Sequence, residues 1–283
     1  MWCMVSESPK IPSDNSLKQL ITKVFLSVDT DAAIDGYSRK LLWLKCGPSN
    51  NNHRYIAQFY LDFLKEIGRV PRLLRCDRGT ENAILRDMQI VLRFSHGDLM
   101  RGMMWFMYGR STANQQIESF WSRLRLNFTD FWRNIFLDMR DTGIFHDADA
   151  IHVQCLRFCF LSVIQRHLDT YRTMWNSHRI RQQRNGEGGF IPNIAYESCE
   201  LFGAVDHSFP LSCRVDDLDD IFGEYVDEYP ERGCSTEFLD FIRRACRAQN
   251  NQLPLPTSPD DALQLFRAVI AVIETIQDRN FMR

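Results

Sequence analysis

The stretch Leu74-Arg-Cys-Asp-Arg-Gly-Thr-Glu-Asn82 lies where a short apolar run passes into a loop. Residues 70–76 have the composition of a β-strand, and Gly79 permits the chain to turn sharply after it. Asp77 therefore stands at the end of a predicted strand. An acidic residue in this position is common at protein surfaces, so its meaning depends on the sequence around it.

Upstream of this stretch, the sequence predicts a β-hairpin and a helix. Residues 24–28 suit a strand, and Ile34-Asp-Gly-Tyr-Ser-Arg-Lys40 is a turn that enters a second strand over residues 41–46. Apolar residues then recur at helical spacing from Ile56 to Ile67, with asparagines at 50–52 to begin the helix and Gly68 to end it. Strands and helices alternate, which indicates an α/β fold.

Downstream, the clearest element is a long buried helix. An apolar stripe at i, i+3 and i+4 spacing runs through residues 117–135, and Thr112 or Asn114 can cap its start. The stripe consists of Ile117, Phe120, Trp121, Leu124, Phe128, Phe131, Trp132 and Ile135. Further helices are predicted over residues 150–174, 236–247 and 259–279, the last with Ser258 as its cap and Pro259 in the first position. The C-terminal part of the chain is thus predicted to be helical.

The composition is that of a globular protein with a substantial core. The 283 residues are 45% hydrophobic and include 20 phenylalanines and 6 tryptophans. The net charge of -2 hides an asymmetry, because residues 69–140 hold 12 arginines against 7 acidic residues, whereas residues 201–231 hold 9 acidic residues against Arg214 alone.

The cysteines and the N-terminal sequence bear on location. Nine cysteines are an odd number without tight pairing, and no signal peptide precedes them. We therefore expect reduced thiols in the nucleus or cytoplasm and no secretion. No apolar stretch is long enough to predict a membrane span.

Two carboxylates are the best candidates for chemistry. Asp77 ends a strand, and Glu118 lies in the first turn of the long helix, 41 positions later. Carboxylates brought together in this way can hold Mg²⁺ or Mn²⁺, because hard cations take oxygen ligands and two metals can clamp the oxygens of a phosphoryl transfer. The spacing alone is weak support.

Four phrases in order resemble the integrase catalytic core of retroelements and related DNA transposons, the DDE family of the ribonuclease H-like superfamily. They are Ile34–Lys40, Leu74–Asn82, Gly109-Arg-Ser-Thr-Ala-Asn-Gln-Gln-Ile-Glu118 and the closing Trp175-Asn-Ser-His-Arg-Ile-Arg181, with Pro192 soon after. In that family the second and third phrases hold the second and third catalytic carboxylates. The resemblance, over roughly residues 28–197, therefore implies that Asp77 and Glu118 are catalytic metal ligands.

The resemblance also implies a fold, an activity and partners. We expect a ribonuclease H-like mixed sheet flanked by helices over residues 24–197, preceded by an irregular segment (1–23) and followed by an acidic linker and helical extension (198–283). The implied activity is DNA integration by metal-dependent strand transfer, and the implied partner is DNA. Whether the chain forms a homo-oligomer is left open. Candidate DNA-binding residues are Arg78, Arg110, Asn114, Arg123, Arg125, Arg179 and Arg181. For each arginine taken singly, a solvated helix face is the simpler interpretation.

One departure from the family concerns the first catalytic aspartate, which the family carries in its first strand. Asp35 belongs to the hairpin turn, Asp29 and Asp31 fall where the resemblance places the family's second strand, and Asp14 lies in the irregular tail. We therefore expect the first strand to be absent or replaced by unrelated residues. Loss of one carboxylate of three leaves at best a weak metal site.

Alternatives remain open. His152, Cys155 and Cys159 could recruit zinc with His146 or His167, although buried helix thiols are the preferred interpretation. The acidic segment, residues 215–231, could dock on a partner protein or on the basic face of the core itself, or be a solvated linker. The whole chain is then an impaired integrase or transposase, a non-catalytic nuclear descendant that binds DNA or protein, or an all-helical interaction module.

Overall fold

The computed structural model describes residues 2–7, 29–47, 52–77, 82–97, 105–109, 115–182, 188–248 and 255–281 of the chain. Its strands are β1 (Trp2–Glu7), β2 (Asp29–Asp35), β3 (Leu41–Gly47), β4 (Arg69–Val70), β5 (Leu73–Asp77), β6 (Phe106–Gly109) and β7 (Phe209–Pro210). Its helices are α1 (His53–Ile67), α2 (Ala83–Arg93), α3 (Gln115–Leu124), α4 (Asp130–Asp141), α5 (Ala150–Ser177), α6 (Pro192–Glu197), α7 (Leu218–Phe222), α8 (Thr236–Ala248) and α9 (Pro259–Phe281). A π-helical turn, Arg125–Thr129, joins α3 to α4.

Five strands form a mixed sheet in the order β3-β2-β1-β5-β6. β2 is antiparallel to both β1 and β3, whereas β1, β5 and β6 are parallel to one another. The parallel step from β5 to β6 needs a crossover, and α2 lies within it. A short ladder pairs β4 with β7. The chain is therefore a mixed α/β protein, and the all-helical alternative is wrong.

The central strand β1 overturns the expectation for the N-terminus. We expected residues 1–23 to be irregular and the first strand to be absent or replaced, yet Trp2–Glu7 lies between β2 and β5. The expectation that the first strand is absent is therefore wrong. Residues 2–7, which lie outside the four phrases, form this strand. The physical reason is that the facing edges of β2 and β5 present backbone groups that need partners, and residues 2–7 contain no proline. The strand predicted over residues 24–28 lies outside the described residues.

β3 and α1 form as predicted, and the strand that pairs with β3 through the predicted turn is β2 over residues 29–35. In the turn, Oδ2 of Asp35 accepts hydrogen bonds from Ser38 N at 2.8 Å and from Ser38 Oγ at 2.7 Å. α1 begins at Asn52, whose side chain accepts from Arg54 N at 3.0 Å, and ends at Gly68, which adopts φ 62°. Local capping chemistry therefore sets both ends of this helix.

Two core clusters cover the two faces of the sheet. The first core cluster joins Ala32 and Ile34 of β2 to α3, α4, α5, α8 and α9. The second core cluster joins Ala33 of β2 and Leu74 and Cys76 of β5 to α1, α2 and α7. Alternate strand residues thus face opposite clusters, as the pleat requires.

The long helix predicted over residues 117–135 is present, but its stripe changes phase. Ile117 and Phe120 are fully buried, and Trp132 is buried further along, whereas Phe131 is 50% exposed. The π-helical turn inserts an extra residue into the helical ladder and rotates α4 relative to α3. Phe131 therefore leaves the core. The predicted caps Thr112 and Asn114 lie outside the described residues.

Helix α5 covers the edge of the sheet at β3, which has no second strand neighbour among the described strands. Asn176 accepts from Leu41 N at 2.8 Å and donates to Leu41 O at 3.0 Å. Gln165 accepts from Cys46 N at 2.9 Å and donates to Leu44 O at 3.1 Å. Side-chain amides of a helix thus replace the missing strand.

The acidic segment docks on α1. Leu218, Phe222 and Val226 are buried in or against the second core cluster. Arg54 Nε donates to Asp227 at 2.7 Å, and Tyr229 stacks on Tyr55 and Phe59, with ring centroids 4.4 and 4.8 Å away. Of the open alternatives, docking on the core itself is the one that the structure contains.

The C-terminal helices complete the first core cluster. α9 begins at Ser258, whose Oγ accepts from Asp261 N at 3.1 Å, as predicted from the sequence. Phe266 and Val269 of α9 are fully buried, as is Ile242 of α8. Of the helices in the described part of the chain, none has the length and apolar character needed to span a bilayer.

Candidate functional site

Asp77 is the last residue of β5, as the sequence predicts. In the parallel ladder it pairs with Gly109, the last residue of β6. Leu74 and Cys76 belong to the second core cluster, so strand alternation assigns Asp77 to the opposite face of the sheet, on which α3 packs. Asp77 thus stands at the carboxyl end of β5, on the α3 face.

Glu118 lies in the first turn of α3, the helix that follows β6 along the chain. Its neighbour Ile117 is fully buried in the first core cluster, whereas Glu118 is only partly buried. Since Asp77 pairs with Gly109, the last residue of β6, and α3 is the next described element along the chain, both carboxylate positions follow the carboxyl ends of two neighbouring parallel strands.

Beside Asp77, the backbone register of β1 decides which residue could complete a metal site. Val5 lies opposite Cys76 of β5, so the next residues along the two strands are Ser6 and Asp77. Ser6 also pairs with Ala32 of β2, which belongs to the first core cluster. Directly paired residues share a face, so Ser6 occupies the α3 face next to Asp77.

The carboxylates nearby in sequence belong to the other face of the sheet. Glu7 pairs with Asp31, and Asp31 accepts a hydrogen bond at 2.5 Å from Trp43, a member of the second core cluster. Burial raises the pKa of Asp31 to about 7, although the Trp43 hydrogen bond opposes the rise. Both positions lie on the face of the sheet opposite to the position of Asp77.

This donor set does not fit a two-metal centre. Two Mg²⁺ or Mn²⁺ ions require carboxylates to share among them, and the α3 face offers Asp77 and Glu118 but a serine at the β1 position. Within the described residues, no cluster of three or more His, Cys, Asp or Glu side chains is arranged to hold a metal ion.

The candidate DNA-binding residues fall into two sets. Arg78, Arg110 and Asn114 lie outside the described residues. The other four candidates are all exposed, and none forms a salt bridge with another described residue: Arg123, Arg125, Arg179 and Arg181. Their charges are therefore available to an anionic partner.

Two of the exposed arginines, Arg123 and Arg179, lie in the region where α3 packs on the end of α5. Trp175 of α5 contacts Phe120 edge to face, with ring centroids 5.2 Å apart. Arg123 of α3 lies over the Trp175 ring at 5.7 Å, and Arg179 follows the end of α5, where its Nη1 donates to Gly189 O at 2.8 Å. The region where α3 packs on the end of α5 therefore carries positive charge from α3 and from the residues that follow α5.

The possible zinc ligands are packing residues. Cys155 and Cys159 are buried, and burial raises the pKa of both thiols, that of Cys155 to about 12. His152 lies beside His146, with ring centroids 5.0 Å apart, whereas His167 contacts Trp132. The thiols are therefore protonated members of the core, as preferred from the sequence.

The sequence does not predict where two of these residues, Asn176 and Ser6, lie in the fold. Asn176 was noted only as part of the closing phrase, and its pairing with the β3 edge has no local signal because Leu41 is 135 residues away. Ser6 was placed in the irregular tail. A proline-free apolar run at residues 2–5 was the signal that could have located β1.

Comparison with known proteins bears on this arrangement. A family model described as "Integrase core domain" matches residues 11–190, about two thirds of the chain. The match includes β2 to α5 and begins after β1, and it ends before α6. No curated protein matches the chain, and no solved structure does.

Proposed function

Since this chain belongs to the integrase core domain family, we propose that it descends from an integrase or transposase, that it binds DNA, and that its metal-dependent strand transfer is impaired. The family relationship implies interaction with DNA and ancestral dependence on a divalent metal. The state of the activity is inferred from the residues of this chain.

We further propose that the domain is ribonuclease H-like. The support is the strand order β3-β2-β1-β5-β6, in which β2 alone runs antiparallel to the other four strands, and the helices on both faces. This is the sheet that the resemblance of the four phrases implies. It places the carboxylate phrases at the carboxyl ends of neighbouring parallel strands.

The single observation that carries the proposal is the residue beside Asp77. On the α3 face of the sheet, the β1 position next to Asp77 is Ser6, and a neutral hydroxyl is a poor substitute for a carboxylate as a ligand to Mg²⁺. Asp77 and Glu118 would hold at most one metal ion weakly. A two-metal site for strand transfer would therefore lack one carboxylate ligand in this chain.

DNA binding does not depend on that ligand. Arg123, Arg125, Arg179 and Arg181 are exposed cations that lie within or just after α3 and α5. Phosphate contacts dominate affinity for DNA and act at any sequence. We therefore propose the nucleus, where DNA is reached, as the working location.

The test is an assay of DNA nicking and strand transfer with Mn²⁺, together with DNA binding at several salt concentrations. The wild-type protein should cleave no faster than Glu118→Gln, yet bind DNA with an affinity that falls as salt rises. Arg123→Ala combined with Arg179→Ala should weaken binding and reduce the salt slope by about 2. Wild-type cleavage that Glu118→Gln abolishes would refute impairment.

A variant with a carboxylate at position 6 tests directly whether Ser6 occupies the position beside Asp77. Ser6→Asp should tighten Mn²⁺ binding, measured by titration calorimetry, by about tenfold or more, whereas the uncharged control Ser6→Asn should not. The gain should vanish when Asp77→Asn is added. If Ser6→Asp leaves Mn²⁺ affinity unchanged, Ser6 does not stand beside Asp77 on the α3 face.

A further inference from the structure

The α4–α5 loop, residues 142–149, joins α4 to the long helix α5. Its first part is fixed on the end of α4, because Ile144 N and Phe145 N both donate to Met139 O, at 2.8 and 2.9 Å. Phe145 is 1% exposed and belongs to the first core cluster. The next residue, His146, is exposed, so the loop leaves the core at this point.

A histidine ring of α5 holds the loop at His146. His146 N donates to Nδ1 of His152 at 3.3 Å, and the centroids of the two imidazole rings are 5.0 Å apart. Because a backbone N–H can only donate, Nδ1 of His152 is the acceptor and carries no proton. The contact therefore requires the neutral form of His152, in the tautomer whose proton is on Nε2.

Protonated His152 cannot form this hydrogen bond. An imidazolium carries a proton on both nitrogens and has no acceptor. Protonation would direct the new Nδ1–H of His152 at the N–H of His146, across the 3.3 Å that separate the two nitrogens. One proton therefore removes a hydrogen bond and also places two donors against each other.

The surroundings of His152 favour its neutral form. The ring contacts Phe145 of the loop and Phe266 of α9, with centroids 6.3 and 5.9 Å away. Burial has the largest effect on the pKa of His152 and lowers it. Among the described residues, three titratable groups also act on the charge of this ring: Asp149 of the loop and Glu274 of α9, which raise the pKa, and His146, which lowers it. The net effect is a pKa below the usual value of 6.5.

We propose that neutral His152 holds the α4–α5 loop against α5 and α9, and that the loop is released when this ring takes up a proton. Release begins at His146 and reaches the start of α5, because Asp149 N donates to His146 O at 3.2 Å and Asp149 Oδ1 caps α5 by accepting from Ile151 N at 2.8 Å. Phe145 stays fixed to the end of α4. This contact is independent of the metal and DNA positions, so it does not rest on the proposed function.

Nitrogen NMR of the full chain, labelled with ¹⁵N in its histidines, tests the protonation state on the unaltered protein. Above pH 7 the ring of His152 should carry its proton on Nε2 and none on Nδ1, and it should take up its second proton only below pH 6.5. Because folding lowers the pKa of His152, the contribution of the contact to stability is complete above pH 6.5 and is lost as the pH falls. A neutral ring with its proton on Nδ1 would overturn the proposal.

Hydrogen exchange of the backbone amides, corrected for the intrinsic effect of pH on exchange, measures release of the loop. Between pH 8 and pH 5 the protection of His146 N and Ile151 N should fall about threefold or more, as expected for the loss of one hydrogen bond. His152→Asn should remove this fall, because its amide oxygen takes the place of Nδ1 and accepts at every pH. The control His178→Asn, at an exposed histidine that follows the other end of α5, should show the same fall as the wild type. Constant protection in the wild type, or an equal fall in His152→Asn, would refute the role of His152.

Discussion

Substitution of Asn176 by alanine should cost more stability than its single polar side chain would suggest. Asn176 is 5% exposed, and its amide pairs with both backbone groups of Leu41, which is fully buried. In Asn176→Ala, Leu41 N loses its partner in a place that water does not reach. Leaving a buried donor unpaired costs about 1–3 kcal/mol.

The carbonyl of Leu41, unlike its amide N–H, keeps a hydrogen-bond partner in Asn176→Ala. Arg172 Nε also donates to Leu41 O, at 3.1 Å, so the carbonyl keeps one partner when Asn176 is removed. The lost second hydrogen bond adds about 1 kcal/mol. The sum predicts a loss of about 2–4 kcal/mol in the free energy of unfolding, a large part of the roughly 5–15 kcal/mol that a domain has.

Urea unfolding followed by circular dichroism measures this loss, and hydrogen exchange at Leu41 N locates it. Ser177→Ala is the matched control, because Ser177 is the next residue, is exposed, and bonds only within its own helix to Thr173 O. It should change stability by less than about 0.5 kcal/mol. Arg172→Ala should cost less than Asn176→Ala, since Asn176 still satisfies both groups of Leu41. A cost below about 0.5 kcal/mol for Asn176→Ala would show that α5 does not protect the β3 edge.

Two further outcomes follow from buried charge and from the docked acidic segment. The pKa of Asp31 is about 7 in the folded protein and about 4 when unfolded, so the folded state binds its proton more tightly. The contribution of Asp31 to the free energy of unfolding is therefore greatest below pH 4 and falls by about 4 kcal/mol as the pH rises to 7. The wild type minus Asp31→Asn difference in unfolding free energy should show this fall between pH 4.5 and pH 7.5, and a flat difference would contradict it. Arg54→Ala removes the bonds to Asp227 and to the carbonyls of Glu224 and Val226, and should speed hydrogen exchange over residues 218–229 while costing about 1–2 kcal/mol. The surface control Arg86→Ala should leave that exchange unchanged, and protection that survives Arg54→Ala would show that apolar packing alone holds the segment.

The family and most helices could be predicted because their signals are local. Asn52 and Gly68 bound α1, and Ser258 begins α9, because capping acts within a few residues of the helix end. Asp77 at a strand end and Glu118 in a first helical turn were likewise found from neighbouring residues. The exposure of Phe131 was not predicted, because a π-helical turn leaves no mark in hydrophobic periodicity.

The sequence by itself determined the integrase core family, the alternation of strands and helices, and the identity of the two candidate metal-binding carboxylates. Only the tertiary structure decided that Trp2–Glu7 is the central strand, that Ser6 is the residue beside Asp77, and that Asn176 protects Leu41. The physical reason is that strand pairing is made by backbone groups, which every residue carries. Which segment fills a gap in a sheet therefore depends on the edges left open by distant parts of the chain, and not on a local pattern of side chains.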